Sequence, residues 1–169
     1  MPGAIDSLIT DRVAEDVTAA QALAAKAIAS GFGSLTPEEK ATYLAGPRGA
    51  YGYTDQNRVG SAIAEIKAAL QALGRTAAVT PKTDWTPADT EDAAALGAYL
   101  AALAAIRTAA GSSAPLPATM AGLTFQGANQ IEAMLRDAYE AVRRSANSSL
   151  LCGIGRAGVT YVQQGGVQA

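Results

Sequence analysis

Apolar positions recur along most of this chain with the three- and four-residue spacing of amphipathic helices. The cleanest stripe is Val59, Ile63, Ile66, Leu70 and Leu73, which predicts a helix from Thr54 or Asp55 to about Leu73, stopped by Gly74. Upstream, Val13, Val17, Ala20, Ala24 and Ala27 form a weaker stripe, widened by Leu23 and Ile28. It predicts a first helix from about Asp11 to Ser30, capped by Thr10 or Asp11 and ended by Gly31 and Gly33. A short second helix starts at Thr36-Pro37-Glu38-Glu39, which has the residues of a capping box with proline at the first helical position, and stops at Gly46. A fourth helix is expected from about Ala88 to Ala110, with Leu96, Tyr99, Leu103 and Ile106 inward, and a fifth from about Phe125 to Asn147, with Ile131, Leu135, Ala138 and Val142 inward.

The segments between helices carry their own signals. Residues 75–88 read as a connector containing two prolines, with Trp85 packing back on a neighbouring helix. Gly46 to Tyr53 is a Gly-rich loop holding Tyr51 and Tyr53, with Tyr43 nearby; tyrosine supplies contact area at low entropic cost. Such a cluster either packs on its own helices or meets a partner. Residues 148–169 lack helical periodicity, and Val159-Thr160-Tyr161-Val162 has strand character but is too short to pair stably alone. An extended Gly-rich tail, adding a strand to another chain, is the expectation there. The candidate partner contacts are therefore Tyr51, Tyr53, Val159, Tyr161 and Val162.

The pattern predicts a mainly α protein of helical hairpins or a small helical bundle. Aligning Asn57 with Asn129 also aligns Val59 with Ile131, Ile63 with Leu135 and Leu70 with Val142. Two related halves are one reading of that match and chance alignment of two amphipathic helices is the other. The corresponding division is an N-terminal helical half at 1–78, a C-terminal half at 79–147 and the tail at 148–169.

Composition narrows the function. Hydrophobic residues make up 49% of the 169, yet aromatic residues only 5%. Alanine fills about a quarter of the chain, far above ordinary usage, so each buried residue contributes little area and the chain gains from neighbouring subunits. The net charge is −2 with Lys and Arg scattered, which gives no basic surface for nucleic acid. With no His, the commonest general base and metal ligand is missing, and the lone Cys152 has neither a disulfide partner nor an activating base. Gly153 to Gly158 matches GxGxxG, but a helix is expected before it and the chain stops soon after, so no cofactor is expected. No enzyme is indicated. Neither a signal peptide nor a membrane span is expected, and synthesis in a reducing cytoplasm fits.

One series of short motifs is more specific than any of these features. It comprises Asp11-Arg12 with Asp16-Val17, Leu35-Thr36 with Glu38-Glu39, Gly49-Ala50-Tyr51 with Tyr53-Thr54-Asp55 and Asn57-Arg58-Val59, Trp85, Tyr99-Leu100, and Leu123-Thr124 with Ala128-Asn129, Ile131-Glu132 and Leu135. In order and spacing it resembles small structural proteins of tailed bacteriophages and prophages, often encoded near tail-fibre and baseplate genes. The resemblance covers about residues 11–140; Gly60 departs from it, standing where an acidic residue is usual, as does the tail. It implies a virion structural protein, an oligomeric tail or baseplate accessory component whose partners are itself and other virion proteins. A head-associated decoration, fibre-anchor or connector protein is the alternative within the same class, and a bacterial cytoplasmic helical adaptor the alternative outside it.

Overall fold

The computed structural model of the chain describes residues 3–159. Five α-helices carry the fold: α1 (Ala14–Ser30), α2 (Pro37–Ala45), α3 (Tyr53–Ala72), α4 (Ala93–Ala110) and α5 (Phe125–Val159). Short 3₁₀ turns occur at Ala4–Ser7, Phe32–Ser34 and Pro87–Glu91. No strand occurs among the described residues.

Three helices make the body. Val59, Ile63, Ile66 and Leu70 of α3 are buried, as are Ile131, Met134, Leu135, Ala138 and Val142 of α5 and Tyr99, Leu103 and Ile106 of α4. These are the stripes the sequence predicts, with Met134 added, while Leu73 and Leu96 of the predicted stripes are only partly buried against the core. Ile5 and Leu8 close the core from one side; Ala77, Val79 and Trp85 join it from the connector between α3 and α4. Trp85 meets Tyr99 edge-to-face at 5.5 Å, an arrangement the ring quadrupoles favour. By length and mean hydropathy (1.5) α4 could cross a membrane, but ten of its 18 residues are alanine and its larger apolar side chains lie in the core.

The connectors lie against the helices as two straps, each held by polar side chains. In the first, residues 3–12, the Glu65 carboxylate accepts the amides of Ala4 (2.7 Å) and Ile5 (3.4 Å), and Arg136 donates to the carbonyl of Leu8 at 2.5 Å. In the second, residues 77–85, Lys67 donates to the carbonyl of Val79 at 2.6 Å. At Gly60 this strap lies directly on α3: a Cβ there would sit 1.9 Å from the carbonyl oxygen of Lys82. That contact is the physical reason for glycine at this position.

Two expectations are corrected. The first helix starts at Ala14, not Asp11, because residues 9–12 are held extended by contacts described below. Val13 becomes its N-cap, with its amide donating to the Asp16 carboxylate at 2.9 Å. The stripe expected to face a core mostly does not: α1 buries only Ala20, Val13 is 48% exposed and Ile28 85%. At the other end, α5 continues past Asn147 to Val159, so no extended tail begins at Ser148. Once a helix is anchored, each further residue adds a backbone hydrogen bond, and Gly153, Gly155 and Gly158 cost only about 1 kcal/mol each without removing a donor. Tyr161 and Val162 lie outside the described residues. The short second helix matches its signal: Glu39 N–H donates to Thr36 Oγ1 at 3.2 Å and Thr36 N–H to Glu39 Oε2 at 2.8 Å.

Two measurements test this core. Ile63→Asp, which buries an unpaired carboxylate among α3, α4 and α5, should abolish the cooperative thermal transition, since its cost exceeds the about 2–5 kcal/mol of a large-to-small core change. Gly60→Ala should lower stability by about 1–3 kcal/mol by pushing the strap off α3. Gly97→Ala, at an exposed interior position of α4 with nothing within 4 Å of the new methyl, should raise it by about 0.5–1 kcal/mol. Opposite shifts in melting temperature for the two glycine variants are the result to look for.

Candidate functional site: a buried polar node and an exposed helical hairpin

The charged motif residues converge on one buried point. Arg12, 2% exposed, sends Nη2 to Asp55 Oδ1 (2.8 Å) and Glu132 Oε1 (2.6 Å). Its remaining donors reach the carbonyls of Ile9 (Nη1, 2.7 Å) and Arg48 (Nε, 3.1 Å), and the guanidinium lies 5.5 Å from the centre of the Tyr51 ring. Arg58 contacts both oxygens of Glu132, at 2.9 and 3.2 Å, and pairs with Asp55. Glu132 Oε2 also accepts the Ile9 amide at 2.5 Å, and Asp55 Oδ2 the Gly52 amide at 3.0 Å. Two guanidinium groups thus face two carboxylates, and the cluster is neutral as a whole. Burial alone would lower the Arg58 pKa, but Glu132 and Asp55 outweigh it and hold the group above its ordinary value.

Each charge is paid for by geometry, since an isolated ion at this depth would cost several kcal/mol. Asp55 occupies the third position of α3, where its carboxylate caps the helix and still reaches both arginines. Beside the node, the Tyr51 and Tyr99 hydroxyls share a hydrogen bond of 2.6 Å, and burial pushes both phenols above their usual range.

Asn57 and Asn129 do the same job in two places. The Asn129 side chain accepts the Arg12 amide (3.1 Å) and donates to the Arg12 carbonyl (2.9 Å). The Asn57 side chain accepts the Trp85 amide (2.6 Å) and donates to the Trp85 carbonyl (3.1 Å). Both are the fifth residue of their helix, and each clamps a strap residue two positions ahead of the next helical segment. Asparagine near a helix start commonly bonds its own local backbone, but the partners of both residues here are remote backbone. An amide side chain can satisfy both groups of one extended residue at once, which an ionised Asp, an acceptor only, cannot.

The second feature is α1 and α2, joined by residues 31–36 as a hairpin. Neither helix contributes a residue to the main core. Among the described residues, the exposed large apolar side chains are Val13, the N-cap of α1, and Ile28, Phe32, Tyr43 and Leu44 within this segment. Phe32 and Tyr43 pack edge-on at 5.7 Å, and Leu44 is 63% exposed. The base of the hairpin is tied down by Arg48, which reaches the Asp11 carbonyl (2.8 Å) and the Asp11 and Asp16 carboxylates (2.5 and 3.1 Å). Between α1 and α2 lies a groove of about 400 Å³ floored by Ala19, Ala22 and Leu23.

No protein-family model, curated protein or solved structure matches this chain. Its chemistry is therefore read from the geometry. The charges of the node are paired with one another, an arrangement that suits holding segments of the chain together. The groove between α4 and residues 118–121, about 330 Å³, is lined by Ala93, Leu96, Gly97, Leu100, Thr119 and Met120 among others, with no titratable side chain. Of the partner-contact candidates, Tyr51 and Tyr53 are partly buried against the core, and the Tyr51 hydroxyl is committed to Tyr99. Val159 is the last described residue of α5, and Tyr161 and Val162 fall beyond it. The exposed apolar residues of the hairpin carry a signal the sequence held only faintly, in the large residues Ile28, Phe32 and Leu44 on an otherwise alanine-rich stretch.

Hydrogen exchange distinguishes the two clamps. Asn129→Ala should speed exchange at residues 8–12 and leave 82–85 protected; Asn57→Ala should do the reverse. Each leaves a buried amide and carbonyl without a partner, so each should cost about 1–3 kcal/mol.

Proposed function

We propose that this chain is a structural subunit of a tailed-bacteriophage or prophage virion, an oligomeric accessory component of the tail or baseplate that docks on neighbouring virion proteins. The observation that carries the proposal is the separation of body and hairpin. The body buries its own core, while the exposed large apolar side chains gather on a helical hairpin that the core does not need. Exposed apolar patches of that kind mark interaction surfaces. The motif series supports the viral reading in a particular way: Arg12, Asp55, Arg58, Asn129 and Glu132 come from three separate motifs and meet in one node. A fold-holding function for motif residues fits a protein whose role is to present a surface.

The test is incorporation. The wild-type chain, expressed during phage or prophage induction, should be found by quantitative mass spectrometry in purified particles, in the tail or baseplate fraction. Ile28→Glu/Leu44→Glu should melt as the wild type does, because both side chains face solvent, but should enter particles at least about tenfold less, a loss of only about 1.4 kcal/mol of docking free energy. Recovery in head fractions would favour a head-associated, fibre-anchor or connector position instead. Absence from particles would overturn the viral reading and leave a bacterial helical adaptor.

A further inference from the structure

From the groove and the charges beside it, we infer that two copies of this chain pair through α1, antiparallel, with the α1 of each lying along the α1–α2 groove of the other. The inference deepens the docking role of the hairpin by naming one occupant, and rests on that role.

Two observations lead to a second copy. The first is charge order. Glu15, Ala19, Ala22 and Lys26 are spaced four, three and four residues apart, so they share one face of α1, and all four are exposed. Antiparallel pairing about a two-fold axis matches residues whose numbers sum to a constant. Placing Ala19 against the partner's Ala22 places Glu15 against the partner's Lys26 and Lys26 against the partner's Glu15. One symmetry operation thus yields two ion pairs and two close alanine contacts, the self-complementarity that an isologous interface requires. Glu15 makes no ion pair among the described residues, whereas Lys26 holds Glu39 at 2.7 Å on the rim of the groove and would stand between two carboxylates.

The second observation is size. Eight of the 17 residues of α1 are alanine, so another helix can approach at the short end of the 8–10 Å range of interaxial distances. The groove floor of Ala19, Ala22 and Leu23 is apolar and matches a face of the same composition. The apolar side chains Ile28 and Leu44 lie off the Glu15–Lys26 face or on the other helix of the hairpin, so pairing through this face leaves surface for other virion proteins.

Sedimentation velocity on the full chain tests the pairing. The wild type should be a dimer at about 50 μM. Glu15→Lys places like charges opposite each other twice, as does Lys26→Glu, so each variant alone should dimerise at least about tenfold more weakly. In an equimolar mixture, the two basic positions of a Glu15→Lys copy face the two acidic positions of a Lys26→Glu copy. Opposite charges then meet at both places, and dimerisation should recover to within about threefold of wild type. Both side chains are exposed, and circular dichroism should show unchanged helix content. A wild-type chain that stays monomeric at that concentration would overturn the inference. So would single variants that dimerise as wild type does, or a mixture that stays monomeric. A monomeric chain still found in particles would overturn self-pairing alone and leave the virion role standing, with a different protein on the groove.

Discussion

The fold turns on the requirement that Arg12 be neutralised where it is buried. A guanidinium at 2% exposure is stable only if its donors and its charge are matched, and no residue near it in sequence can do that at this depth. Asp55 comes from the start of α3 and Glu132 from the second turn of α5, so the two helices must sit at a fixed offset for both carboxylates to reach one nitrogen. Arg58 then balances the second negative charge. Apolar stripes of Ile, Leu and Ala alone would tolerate sliding of one helix along another; a four-member ionic cluster does not, because a displaced register strands a buried charge.

Fixing Arg12 also decides what happens on either side of it. Residues 3–12 become a strap over α3 and α5, and α1 begins only at Ala14, aimed away from the core. The same device recurs at Trp85, where Asn57 holds the second strap before α4 begins. The outcomes differ because the following helices differ: α4 carries Tyr99, Leu103 and Ile106 and returns to the body, while α1, with only Ala20 buried, remains outside it. The aligned Asn57 and Asn129 thus correspond in geometry as well as in sequence, each clamping the strap that precedes a helix from the other part of the chain.

Body and hairpin therefore answer to different physical demands. The body satisfies its buried charges and apolar surface internally. The hairpin, tethered at its base by Arg48, keeps Ile28, Phe32, Tyr43 and Leu44 in contact with solvent. An apolar projection on a self-contained body is the arrangement that the proposed docking role calls for.

By itself the sequence determined the helices of the body and their inward faces, because three- and four-residue spacing of Ile, Leu and Val is a local property of the chain. Val59 to Leu70 and Ile131 to Val142 are buried as the spacing requires, and the capping box at Thr36 and Glu39 forms as written. What local pattern could not express was which stripe finds a partner. The alanine-rich stripe of α1 resembles that of a core helix, but its burial depends on where Arg12 anchors the chain, and that depends on carboxylates 43 and 120 residues away. The roles of Asn57 and Asn129 were likewise hidden, since a side chain that bonds its own helix and one that clamps a distant strap occupy the same position in sequence. Periodicity fixes the face a residue occupies; only the long-range pairing of buried charge and backbone polar groups decides whether that face meets its own chain or is left for another.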